Sequence, residues 1–419
     1  MQASKKSTAS LLISLLLFAS AAFLLITAFF MAFSAFLPLM TGESIQAQGA
    51  IFGFVFGFEA LILFTAAYLC FQKYLEHSAS EKQTRFSLAR WHILILVIGA
   101  GLALLIGYFI ADNDFINWLF LPILTIPAVL LPIGLLLGFG AQKIELGPRW
   151  RVWGIFGLGM TLGPFILVII EIAMLFIAVI LIAFYYASNP VFSGELINLA
   201  NQVNLLQNDP QAIVNLFIPY ALEPGAILFV VSFFALIVPF TEELIKPIGV
   251  WLFAAKLDSP AQGFALGALS GAAYALIETF GSSGQTTEWA SLISTRIGTS
   301  LLHITSTALM GWAIASVWRD RKLLKFFAVY LSSSILHGAW NTSVIMYSYS
   351  ILAKEYDPSN ALGLLTPYML AASIALTILL FTILILMNRK LRQTFSPDNS
   401  EAQPTNPTGN ESDQPGVGT

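Results

Sequence analysis

Charge is what this sequence has least of. Only 10% of its 419 residues are Asp, Glu, Lys or Arg, against about 25% in a soluble globular domain. With 57% hydrophobic residues and a mean hydropathy of +0.79, that scarcity excludes a soluble fold. The net charge is −3 and no basic patch stands outside the short loops, so no nucleic-acid partner is expected. Cysteine is nearly absent. Cys70 alone permits neither an internal disulfide nor a thiolate zinc cluster. Its place at the end of an apolar run makes it a small lipid- or helix-facing residue.

What is present instead is a series of apolar runs of about 20 residues, each able to cross a hydrocarbon core about 30 Å thick. Apolar windows place helices near residues 11–36, 50–71, 91–111, 115–141, 152–187, 225–255, 261–281, 297–317, 326–347 and 364–387. The expectation is an all-α, polytopic transmembrane helical bundle of about ten spans. The fifth and sixth runs exceed one crossing, so they should tilt, protrude or break. The run near the N-terminus contains Ala19-Ser20-Ala21 like a signal peptide, but its apolar character continues to Leu37. That favours an uncleaved signal anchor.

Loop charges give the orientation. Alternate loops carry Lys5 and Lys6; Lys73, Lys82, Arg85 and Arg90; Lys143, Arg149 and Arg151; Lys256; Arg319, Arg321, Lys322 and Lys325; and Arg389, Lys390 and Arg392. The opposite loops hold only Arg296 and Lys354. Seventeen basic residues against two put both termini in the cytoplasm of an integral plasma (inner) membrane protein. Residues 1–224 form an N-terminal five-span region whose external loop, 188–224, is rich in Asn and Gln. Residues 225–347 form a core of four spans, 348–395 the final span, and 396–419 a disordered cytoplasmic tail. No internal repeat is visible, which disfavours transporter folds built from inverted repeats.

Ionisable groups at bilayer depth cost several kcal/mol unless paired or functional. They concentrate in the four core spans. The sixth reads Pro239-Phe240-Thr241-Glu242-Glu243-Leu244-Ile245-Lys246-Pro247. Glu242 and Lys246 share a helix face, while Glu243 is turned about 100° from Glu242. One glutamate can therefore pair with the lysine while the other faces a cavity. The seventh carries Gly263, Gly267 and Gly271, a ladder that admits a neighbouring backbone, then Tyr274 and Glu278. The eighth supplies His303 with Thr305, Ser306 and Thr307; the ninth supplies Ser333, His337 and Asn341 at successive spacings of four. By depth these side chains line one cavity or form two layers; spacing alone leaves both open.

Hydrolysis of a peptide bond in a bilayer needs a nucleophile, a base and a group that stabilises the oxyanion. Glu242 and Glu243 are candidate bases. His303, His337 and Asn341 are candidates to bind a metal together with a glutamate, or to stabilise the oxyanion. Known signatures are missing: there is no His-Glu-x-x-His and no Gly-x-Gly-Asp. Gly281-Ser282-Ser283-Gly284 spells the Gly-x-Ser-Gly of rhomboid proteases, but at the end of a span in polar company.

Glu242-Glu243-x-x-Lys246, a Gly/Ala-rich helix ending in Glu278, His303, and then His337-x-x-x-Asn341 resemble the PrsW family of membrane proteases, related to the CAAX prenyl-protease and bacteriocin-immunity membrane proteins. The resemblance covers roughly residues 229–347. Thr279 follows Glu278 where the family pattern has Asn. It implies cleavage of a membrane protein or peptide substrate within the lipid bilayer, with Glu242 or Glu243 activating water. Catalytic roles then fall to Glu242, Glu243, Glu278, His303, His337 and Asn341, with His303, His337 and Glu243 as the set for Zn2+. Two alternatives stand beside it. One is a proton- or cation-coupled transporter or channel that would also use the lone acids Glu59 and Glu171. The other is a non-catalytic scaffold.

Overall fold

The computed structural model describes residues 7–187, 190–286 and 288–394. The expected tail, 396–419, lies outside the described residues, as do Lys5 and Lys6. The apolar runs become α1 (Thr8–Phe36), α2 (Ala47–Tyr74), α3 (Arg90–Ala111) and α4 (Asn117–Ala141). Next come α5 (Arg149–Met160), α6 (Leu162–Ala187), α7 (Pro190–Leu205), α8 (Pro210–Ala221) and α9 (Pro224–Ser232). A π-helical turn, Phe233–Ile237, leads into α10 (Val238–Ile245) and α11 (Ile248–Phe253). The chain ends through α12 (Pro260–Ser282), α13 (Trp289–Asp320), α14 (Leu323–Tyr356) and α15 (Thr366–Thr394). The only described strands, β1 (Gln83–Arg85) and β2 (Glu145–Pro148), pair antiparallel between loops.

Among the described residues, nine helical segments are long and apolar enough to cross a membrane. The ninth expected span is α14, which is long enough at 34 residues. Its serines, His337 and Asn341 dilute its apolar character, and these are the residues that make it informative. Both over-long runs are broken. The fifth divides at Thr161 into α5 and α6, and the sixth at the π turn and again at Pro247. Proline supplies no backbone donor and its ring crowds the preceding turn, which favours the break seen at Pro247. Ser270 Oγ donates to the Lys246 carbonyl at 2.7 Å and satisfies one group left at that break. The expected loop 188–224 contains α7 and α8, so it is helical over most of its length; Asp209 caps α8 through the Ala212 amide.

The core is built on α12 and α13, which are almost wholly buried, whereas the spans of α1, α3, α6 and α15 bury less than a quarter of their most apolar stretch. The glycine ladder explains the pairing. A Cβ on Gly267 would lie 2.3 Å from the Thr307 carbonyl oxygen, and one on Gly271 2.3 Å from that of His303. Only glycine lets these backbones approach so closely. α4 and α5 pack on the other side of α12, and α14 closes on α13. Trp289, fully buried, donates from Nε1 to Thr125 Oγ1 at 3.0 Å and ties α13 to α4. Cys70 faces a helix rather than lipid: it is buried against α5, its Sγ 3.4 Å from the Trp150 carbonyl oxygen.

Candidate active site

α10 presents two adjacent carboxylates and, one turn later, an ammonium. Lys246 Nζ lies 2.5 Å from Glu242 Oε2 and 3.2 Å from Glu243 Oε1 and has no exposure to solvent. It therefore bridges both glutamates instead of choosing one. α13 and α14 bring the two imidazoles to the same point, with ring centroids 5.6 Å apart. Lys246 Nζ is 2.8 Å from His303 Nδ1. An ammonium only donates, so His303 Nδ1 accepts and its proton sits on Nε2. That N–H points at Glu278 Oε2, 2.5 Å away. Glu278 is fixed in turn by Arg296 Nη2, 2.7 Å from its other oxygen.

His337 is oriented the same way. Its Nδ1 lies 2.8 Å from Glu243 Oε1 and 3.4 Å from Lys246 Nζ. The shorter contact puts the proton on Nδ1, donating to Glu243. The Nε2 lone pair is left facing Glu242, 3.7 Å from Oε2. Ser306 Oγ also donates to Glu243 Oε1, at 3.0 Å. Each histidine thus has a carboxylate behind it, Glu278 for His303 and Glu243 for His337. This is the arrangement that fixes tautomer and ring direction in metal-binding histidines.

The candidate ligand atoms converge around Lys246 Nζ. Glu242, His303 and His337, all buried, each offer one ligand atom within 4.8 Å of one another. Two imidazoles and a carboxylate are the donor set of catalytic zinc sites that keep a coordination position free for water. Charge gives a second test of fit. With Glu242, Glu243 and Glu278 as carboxylates and Lys246 and Arg296 beside them, acids outnumber bases by one. A bound cation is compatible with that negative excess. Glu243 Oε2, buried and without a hydrogen-bond partner among the described residues, is a third sign that the cluster wants a further polar species.

The structure therefore brings Glu242, Glu243, Glu278, His303 and His337 into one connected cluster, not two layers. The three-residue donor group contains Glu242, where the sequence expectation had Glu243; Glu243 is engaged by Lys246, His337 and Ser306 instead. Asn341 does not enter the cluster's hydrogen bonds. Its Nδ2 donates to the Phe234 carbonyl at 2.7 Å. In the π turn the Val238 amide bonds five residues back, to Phe233, and Asn341 supplies a partner for the next carbonyl. Gly338 makes that contact possible, since a Cβ there would lie 2.1 Å from the Ala235 carbonyl oxygen.

Three members escaped sequence reasoning. Ser306 stands among the polar residues that follow His303, and nothing in its spacing points to Glu243. Arg296 was counted as a loop residue; it stands on α13, which begins at Trp289. The signal available was that Arg296 and Glu278 occupy facing ends of consecutive helices. Glu171 entered only through the transporter alternative; in the structure its charge acts on Glu242, Lys246 and Glu278. Glu59 stays apart, buried in α2 with Oε1 unpartnered among the described residues. Ser282 and Ser283 donate to carbonyls of their own helix, Glu278 and Phe280, so the Gly-x-Ser-Gly serines serve to end α12.

The family described as PrsW family intramembrane metalloprotease matches residues 147–372. No curated protein and no solved structure matches the chain.

Proposed function

Because the chain belongs to the PrsW family of intramembrane metalloproteases, we propose that the cluster on α10, α12, α13 and α14 is its peptidase site. On this reading, Glu242, His303 and His337 hold a divalent cation, with zinc the first candidate. The observation that carries it is the convergence of those three buried ligand atoms within 4.8 Å, with a carboxylate fixing each imidazole. Such an ion supplies Lewis acidity and a water acidified toward neutral pH.

The chain's own residues have distinct tasks. Glu278 and Glu243 hold His303 and His337 in the tautomers that turn a lone pair to the cation position. Arg296 fixes Glu278. Lys246 now occupies lone pairs that the cation would use, so binding would move its ammonium off His303 toward Glu243, where it keeps that fully buried carboxylate paired. Asn341 and Gly338 anchor α14, and with it His337, to the π turn. The substrate is a membrane protein or peptide that reaches the site through the bilayer. The loop charges support cytoplasmic termini, and on this reading the protein resides in the plasma (inner) membrane. No observation supports the transporter alternative.

The test is purification from medium supplemented with zinc, followed by metal analysis and cleavage of single-span reporter peptides in liposomes. We expect about one ion per chain in wild type and loss of both ion and cleavage in Glu242→Gln, His303→Ala and His337→Ala. Metal content unchanged in all three variants would refute the assignment.

A further inference from the structure

Ser270, Tyr274 and Glu278 follow one another at spacings of four and share one face of α12. The two outer members are committed to the cluster. Ser270 Oγ donates to the Lys246 carbonyl at 2.7 Å, and Glu278 Oε2 accepts from His303 Nε2 at 2.5 Å. Tyr274, between them, is turned to the same place, and its contacts agree. Its ring centroid lies 5.0 Å from that of His303, edge to face, and 5.0 Å from Lys246 Nζ.

A bare aromatic ring would account for both contacts, since it packs on an imidazole and faces an ammonium. The hydroxyl is what such packing leaves unexplained. A buried tyrosine usually spends its O–H on a partner, and Tyr330 does so by donating to the Phe240 carbonyl at 2.6 Å. Tyr274 is half-buried, yet its hydroxyl enters no hydrogen bond with any described residue. Unlike Glu243 Oε2 it is not enclosed, so it borders space that a second molecule can reach. The ring reaches His303 and Lys246 from α12, and the hydroxyl is its farthest atom from that helix. A free phenol, protonated at neutral pH and able to donate, is thus carried to the edge of the peptidase cluster.

We propose that the Tyr274 hydroxyl donates a hydrogen bond to the oxyanion formed from the scissile carbonyl. The inference rests on the peptidase reading above and adds a donor without displacing any group already placed in the site. As the water oxygen bonds to the carbonyl carbon, the carbonyl π pair moves onto the carbonyl oxygen. The Tyr274 O–H points to that oxygen and keeps its own proton throughout. The pair then re-forms the carbonyl while the C–N bond breaks with its electrons on nitrogen, which takes the proton lost by water. The products are a carboxylic acid and an amine. A donor fixed in place before the reaction bonds more strongly to the oxyanion than to the ground-state carbonyl, and that difference accelerates the step.

The experiment compares Tyr274→Phe, Tyr274→Leu and wild type in liposomes with the same single-span reporter, and measures bound zinc in each. Removing one oxyanion donor costs about 10²- to 10³-fold in kcat. Tyr274→Phe deletes only the hydroxyl, so it should lose about that factor with KM and bound zinc at wild-type levels. Inhibitor binding gives a readout independent of turnover. A reporter analogue with a phosphonamidate in place of the scissile amide carries a tetrahedral anion, and Tyr274→Phe should bind it about 10²-fold more weakly than wild type. A ring that only packs gives a different pattern, with Tyr274→Phe as active as wild type and Tyr274→Leu impaired; that result overturns the proposal. So does unchanged affinity of Tyr274→Phe for the analogue, or loss of its zinc. A wild type that binds zinc yet cleaves no reporter removes the peptidase reading itself, and the role of Tyr274 with it.

Discussion

Gly271→Ala tests whether the helix pairing, and not merely the presence of the polar residues, sets the site. The new methyl would lie 2.3 Å from the His303 carbonyl oxygen, where ordinary Cβ contacts begin near 3.4 Å. α13 must therefore recede from α12 by about 1 Å, a displacement for which about 100-fold in rate can be lost at a catalytic centre. The displaced residue is itself in the cluster. His303 bonds to Glu278 at 2.5 Å and Lys246 at 2.8 Å, and both bonds would lengthen together. A 100-fold loss corresponds to about 2.7 kcal/mol in the barrier. Overpacking should also lower stability by about 1–3 kcal/mol. Gly281→Ala is the control: it lies in the same helix, and nothing stands within 4 Å of its added Cβ. Turnover of a reporter peptide in liposomes and thermal unfolding in detergent would be measured for both. If Gly271→Ala turned over within twofold of wild type, or Gly281→Ala lost as much, the link from glycine ladder to histidine position would be wrong.

Three further outcomes follow from the same geometry. Lys246→Met leaves two buried carboxylates without their ammonium, which should cost about 3–5 kcal/mol; unfolding in detergent reads this directly, and an unchanged midpoint would contradict the bridging role. Asn341→Ala should cost about 1 kcal/mol through the lost bond to the Phe234 carbonyl while leaving bound zinc at the wild-type level; loss of zinc would place Asn341 among the ligands. Treatment with a zinc chelator should abolish cleavage and readdition of zinc should restore it, whereas full activity in excess chelator would exclude a metal-dependent reaction.

Much of the fold is legible because membrane energetics act locally. Each apolar run has to satisfy its own backbone as a helix, so the spans appear in the sequence one at a time. The breaks at Thr161 and Pro247 are foreshadowed by run length and by proline. The site is only half legible. Glu242, Glu243, His303 and His337 stand out because each violates hydrocarbon energetics on its own. Which of them meet depends on contacts between helices far apart in sequence. Glu243 lies 63 residues from Ser306 and 94 from His337. Spacing therefore cannot tell which glutamate fixes a histidine and which stands in the donor group. Asn341 was grouped with His337 because they share a helix face. The π turn opposite, which claims its amide, has no signature in the sequence.

The close pairing of α12 with α13 also limits how a substrate can enter. Two backbones in contact through glycine cannot separate even slightly without pulling His303 from Glu278 and Lys246. The rest of the cluster is held by elements of another kind: a π turn, a helix interrupted at a proline, and α6, mostly open to lipid. A transmembrane segment approaching from the bilayer therefore meets an immovable wall on one side and a hinged one on the other. Opening toward α6 and α9 would leave His303 aimed by Glu278, while His337, tied to α10 and the π turn, would move with the hinged side.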